Sequence, residues 1–139
     1  MKGLVLVDTS VFVEYLRGEE DDTLSVLILN NQVLLSPIVK FELLAGVRKQ
    51  ELSQLERLLS TLVQIDEFNS IKSYEKTLTK AKGSGLLGGL PDLMILTDAL
   101  VHRAVLFSLD EKMIKLAKRL RVEVFDRAKS YGRMPSSCK

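Results

Sequence analysis

The chain has 139 residues, 46% hydrophobic and 27% charged, with a net charge of +2, which suits one domain with a true core and an ordinary charged surface. No apolar run approaches the roughly 20 residues needed to span a bilayer, and Asp8 breaks the N-terminal apolar run before a signal-peptide core can form, so no membrane partner and a cytoplasmic location are expected. Cys138 and His102 are the only cysteine and histidine; this excludes an intrachain disulfide and a cysteine-based zinc site, and leaves oxygen ligands, hence Mg²⁺, Mn²⁺ or Ca²⁺, for any metal.

Five short, mostly β-branched apolar runs predict strands: Leu4 to Val7, Val33 to Leu35, Leu62 to Ile65, Ala104 to Phe107 and Val122 to Phe125. Most lack apolar–polar alternation, as strands buried on both faces do. Helical spacing lies between them. Val11 to Leu16 predicts a short helix ended by Gly18, and Leu24 to Leu29 another ended by Asn30-Asn31. Pro37 to Val47 follows, with Ser36 as N-cap and Pro37 at the first helical position. Leu52, Leu55, Leu58 and Leu59 form the next stripe, and Ile71, Tyr74, Leu78 and Ala81 the one after. Pro91 to Arg103 and the stripe Met113, Ile114, Ala117 and Leu120 complete the series. The β–α alternation implies a three-layer α/β/α domain around a parallel sheet of four to five strands with right-handed crossovers. Residues 1–126 form that domain. The glycine-rich stretch 83–89 is a flexible connection, and residues 127–139 are a loosely held basic tail.

Ligands of open α/β sheets bind at the carboxyl ends of the strands, and acids collect there. Asp8 ends the first strand; Ser108 and Asp110 follow the fourth. On a helical wheel Glu42 lies beside Ile38, Val39 and Gly46, and Asp92 lies in line with Ile95, Leu96 and Ala99, so both are expected to point inward. Three of these acids have local explanations: Asp8 as a helix initiator, Asp92 at the positive end of a helix dipole, Asp110 as an N-cap. Glu42, at mid-helix, has none. Together they would converge on one edge of one sheet, where carboxylates raise one another's pKa unless a cation sits among them. A hard divalent ion is the natural choice, with the hydroxyls of Ser10 and Ser108 available to its waters. Asp98 falls off the inward stripe and is expected at the surface or paired with His102.

The segments VDTSVF around Asp8, SPIVKFELLAG around Glu42, LPDLMIL around Asp92 and LFSLDEKM around Asp110 resemble, in order and spacing, the PIN-domain ribonucleases, particularly VapC-type toxins of toxin–antitoxin pairs. The resemblance runs from Val7 to Met113. It implies a PIN-like fold with strand order 3-2-1-4-5, and a metal-binding catalytic cluster of Asp8, Glu42, Asp92 and Asp110. Ser10 and Ser108 match accessory positions, Ser108 standing where threonine is more usual. Asp98 departs from the pattern. The family further implies a cognate antitoxin as partner and a homodimer; the Leu24 to Leu29 and Leu52 to Leu59 helices, whose leucines exceed what one sheet face needs, are candidate surfaces.

The expected reaction is metal-dependent hydrolysis of an RNA phosphodiester by activated water, with Mg²⁺ or Mn²⁺ as cofactor. RNA is a polyanion, and setting the four acids aside raises the chain's balance from +2 to +6. Lys72, Lys76 and Lys80 recur at four-residue spacing, extended by Lys82, and are candidate phosphate contacts; Arg127, Lys129, Arg133 and Lys139 add charge in the tail. The glycine-rich stretch lacks the Gly-Lys-Ser/Thr of a phosphate-binding loop. His102 reads as a surface or packed residue, the three tyrosines are too scattered for base stacking, and Cys138 reads as incidental. Two alternatives stand beside the toxin: a PIN nuclease of RNA processing without an antitoxin, and a phosphoacceptor receiver using Asp8, Asp66 and Ser108. The receiver leaves Glu42 and Asp92 unexplained.

Overall fold

The computed structural model describes residues 3–19, 22–85 and 88–127. The tail beyond Arg127, with Lys129, Arg133, Cys138 and Lys139, lies outside them, as do two residues of the glycine-rich connection.

Four short strands, β1 (Val5–Val7), β2 (Val33–Leu35), β3 (Val63–Gln64) and β4 (Val105–Phe107), form one sheet in the order β3-β2-β1-β4, every pair parallel. The helices are α1 (Thr9–Leu16), α2 (Thr23–Leu29), α3 (Pro37–Gly46), α4 (Leu52–Ser60), α5 (Ile71–Gly83), α6 (Leu90–His102) and α7 (Glu111–Arg119), with one turn of 3₁₀ helix at Lys49–Glu51 before α4. β1 and β2 are buried along their whole length, the pattern of central strands covered on both faces.

The expected fifth strand is reduced to one parallel bridge, Leu106 with Val124. Leu106 N–H donates to Glu123 O and Phe125 N–H donates to Leu106 O, and the pairing goes no further. Short edges of this kind limit pairing with other chains. With that bridge counted beside β4, the observed order is the 3-2-1-4-5 arrangement.

The helix starts follow the sequence chemistry. Ser36 Oγ accepts from Ile38 N–H at 3.1 Å at the head of α3, with Pro37 in the first turn. Ser70 caps α5 by accepting from Ser73 N–H, and Asp110 caps α7. Because β1 and β4 are neighbours, their carboxyl ends sit side by side: Asp8 N–H donates to Phe107 O at 2.8 Å. The two loops that leave this edge carry Asp8–Ser10 and Ser108–Asp110. No helix among the described residues is long and apolar enough to cross a membrane.

Candidate metal-dependent active site

Asp8 is only 7% exposed, and burying a carboxylate without partners costs several kcal/mol. Its Oδ2 accepts from Ser108 Oγ at 2.7 Å and Ser10 Oγ at 3.1 Å. Those hydroxyls also accept from backbone: Leu109 N–H, of the opposite loop, donates to Ser10 Oγ, and Asp110 N–H, of the same loop, donates to Ser108 Oγ, each at 3.0 Å. The two serines therefore tie the β1 and β4 ends around one carboxylate oxygen. Asp8 precedes α1 but makes no side-chain cap to it, so helix initiation does not explain its position.

Asp110 does cap. Its Oδ1 accepts from Lys112 N–H at 2.9 Å and from Met113 N–H at 3.5 Å, which fixes the rotamer and leaves Oδ2 outside the cap. Asp92 lies in the first turn of α6, half-buried. Its carboxyl is pushed above the ordinary aspartate range, first by burial and then by repulsion from Asp8, Asp110 and Glu42. That repulsion means that acids from four separate segments share one electrostatic neighbourhood.

Glu42 corrects the inward expectation. It is exposed and accepts a hydrogen bond from Thr9 Oγ1. Val39 and Leu43 take the buried face of α3, while Glu42 sits at the rim of a groove of about 480 Å³ between α1 and α3, lined in part by Thr9, Val13, Leu43 and Val47. It faces the start of α1 beside Asp8, not the core.

The surface placement expected for Asp98 is a second correction, while His102 does lie beside it. Asp98 is fully buried. Its carboxylate accepts from Ser36 Oγ at 2.6 Å and from Asn69 Nδ2, while the His102 ring bonds the Asp98 backbone carbonyl at 3.0 Å. Asp98 thus joins the head of α3, the loop before α5 and the middle of α6, apart from the four-acid cluster.

Three contributors were not singled out from sequence. Thr9 holds Glu42; its place directly after Asp8 was the available signal. Asn69 is a partner of Asp98. Gly88 packs beside Asp92: a Cβ built there would meet Leu116 Cδ2 at 3.1 Å and Asp92 Oδ2 at 3.4 Å, so the absence of a side chain lets the backbone at this position pack between the acid and α7.

Lys72, Lys76, Lys80 and Lys82 are all exposed on α5. On α2, Leu29 is 83% exposed, whereas Leu55 and Leu59 of α4 are spent in the core.

The donor set suits a hard cation in charge and atom type: the four acids are carboxylates, and none forms an ion pair with Lys or Arg among the described residues. It is not a closed cage, since no three acidic or imidazole groups among the described residues are drawn together tightly enough to hold an ion as they stand.

Comparison with known proteins identifies the family and the fold. A family model described as the PIN domain matches residues 5–119. Ribonuclease VapC2 of Rickettsia felis is 31% identical over 133 residues, covering 89% of this chain and 99% of its own. Ribonuclease VapC19 of Mycobacterium tuberculosis is 43% identical over 61 residues, so the chain spans only about half, 49%, of that relative's length. Among solved structures, VapBC2 of Rickettsia felis bound to a promoter DNA fragment superposes with a TM-score of 0.73 at 26% identity, covering 88% of this chain and 97% of that one. FitAcB of Neisseria gonorrhoeae gives 0.66 at 25% identity, covering 88% and 97%. DNA-bound VapBC of Salmonella typhimurium gives 0.76 at 18% identity, covering 89% and 98%, a likeness of fold.

Proposed function

Since this chain belongs to the PIN-domain family, we propose that it is a metal-dependent endoribonuclease acting as the toxin of a type II toxin–antitoxin pair. The observation that carries this reading is the repulsion of Asp92 by Asp8, Asp110 and Glu42, acids of four segments meeting at the strand ends where α/β sheets bind ligands. Relatives named ribonucleases supply the reaction class, and neighbours solved as VapBC complexes supply the antitoxin as partner.

Asp8, Asp92 and Asp110 would hold Mg²⁺ or Mn²⁺, with Glu42 as a further ligand or the group that orients the attacking water. When bound, such an ion lowers the pKa of water and offsets charge developing on the phosphate. The chain's own residues do the rest. Ser10 and Ser108 fix Asp8 through one oxygen, leaving the other for the ion. The α7 cap holds Asp110 in one rotamer through Oδ1. Thr9 keeps Glu42 turned toward the start of α1, on the solvent side where water and substrate enter. A homodimer and a cytoplasmic location complete the reading, with Leu29 a natural contributor to a protein contact.

The test is cleavage of single-stranded RNA in Mg²⁺ or Mn²⁺, with alanine at each acid in turn. Each substitution should lower the rate by about 10²-fold or more, the scale on which positioned acid–base groups act. A full rate in Asp92→Ala removes that acid from the site. Growth arrest on expression, abolished by Asp8→Ala and by co-expression of an antitoxin, separates the toxin from an RNA-processing nuclease.

A further inference from the structure

We propose that the exposed lysine face of α5 is a track for the phosphate backbone of single-stranded RNA, leading along the helix to Asp92; this deepens the ribonuclease reading and rests on it. α5 and α6 are consecutive helices joined by the short connection 84–89, hence an antiparallel pair. Their register is pinned where Thr97 Oγ1 meets Thr77 Oγ1 at 2.6 Å, both residues buried. Counting outward from that contact sets Lys82 level with Asp92. Lys80, Lys76 and Lys72 then recede from the acid in order.

Lysines four residues apart step about 6 Å along a helix, a spacing comparable to one nucleotide of an extended single strand. They line an open depression of about 610 Å³ together with Thr79 and Glu75, its one carboxylate. Lys72, Lys76 and Lys80 are exposed, and none forms an ion pair among the described residues. Lysines four residues apart repel one another on a helix, and the sequence sets an acid three or four residues away only for Lys72, at Glu75, with which no ion pair forms, so helix stabilisation does not explain the row. Unpaired ammonium groups in a row, ending beside a cluster that itself repels RNA, supply the attraction that the acids lack.

The test uses the full chain and a labelled oligouridine of about twelve nucleotides, within the site sizes of single-strand binders. Binding is followed by anisotropy in chelator, which prevents cleavage, across a salt series. The variant Lys72→Gln/Lys76→Gln/Lys80→Gln should lower the slope of log K against log salt by about 2, since each phosphate contact on a single strand contributes about 0.7. Its KM for cleavage should rise with little change in kcat. The control Arg103→Gln/Lys118→Gln/Arg121→Gln lies near the strand-start edge and should keep the wild-type slope.

An unchanged slope and KM in the α5 variant, with wild type still cleaving, overturns the track alone. Wild type that neither binds nor cleaves RNA overturns the ribonuclease reading with it. Retained RNA binding with lost binding of polyglutamate assigns the face to an acidic protein segment and overturns the proposal.

Discussion

Asp92 and Asp98 stand on the same helix, and both are harder to ionise than an ordinary aspartate, for different reasons. Burial is the first cause in each. At Asp92 three other acids add to it. At Asp98 hydrogen bonds from Ser36 and Asn69 and the nearby His102 pull the other way without overcoming burial. Asp98 in the folded chain therefore binds its proton more readily than in the unfolded chain, where the carboxyl titrates near pH 3.9. In the window between that pH and the raised native value, its contribution makes stability rise as pH falls. Asp98→Asn tests this. Ser36 and Asn69 each donate to a carboxylate oxygen, and an amide turns an N–H toward one of them, so a loss of about 1–3 kcal/mol is expected at neutral pH. Urea unfolding should show that loss widening as pH falls through the window, because only wild type gains there. A gap constant with pH would contradict the assignment.

The helix starts were readable because caps are local chemistry. Ser36 before Pro37 is a complete start signal, and the cap is present. What the signal did not contain is the second bond of the same hydroxyl, to an aspartate 62 positions later. Ser36→Ala removes both, and should destabilise by about 1–3 kcal/mol in urea unfolding. Combined with Asp98→Asn it should cost clearly less than the sum of the two, as changes within one network do; strict additivity would break the link between α3 and α6. Glu42 shows the same limit from the other side. A helical wheel gives an angle but not a depth, and whether a position meets core or a groove depends on the helix packed across it, here α1. Asp98 was misread because the stripe drawn through Ile95, Leu96 and Ala99 marks only the face against the sheet, while α6 is also covered by α5 and the loop before it. The fifth run forms only a bridge because an edge has one neighbour to pair with, and β4 has only three residues.

Across the whole molecule, parallel strands with right-handed connections leave little freedom in where the strand ends fall. The four acids were therefore legible as a set, although three of them each had an ordinary explanation and Asp110 does act as a cap. Distant sequence positions meet because β1 and β4 are adjacent and α3 and α6 flank them, and the energetic consequence is repulsion that no lysine or arginine among the described residues offsets by an ion pair. If a divalent ion is what makes the cluster tolerable, metal and stability are linked. An ion held at about 100 times its dissociation constant adds about 2.7 kcal/mol to the folded state. The most direct measurement is thermal unfolding of wild type and Asp92→Asn, each in chelator and in saturating Mn²⁺. Wild type should melt higher with Mn²⁺; Asp92→Asn in chelator should be at least as stable as wild type, because a repelled, part-buried charge is gone, and should lose most of the Mn²⁺ gain. Identical melting of wild type with and without metal, together with a destabilised Asp92→Asn, would contradict a cluster held by a divalent ion.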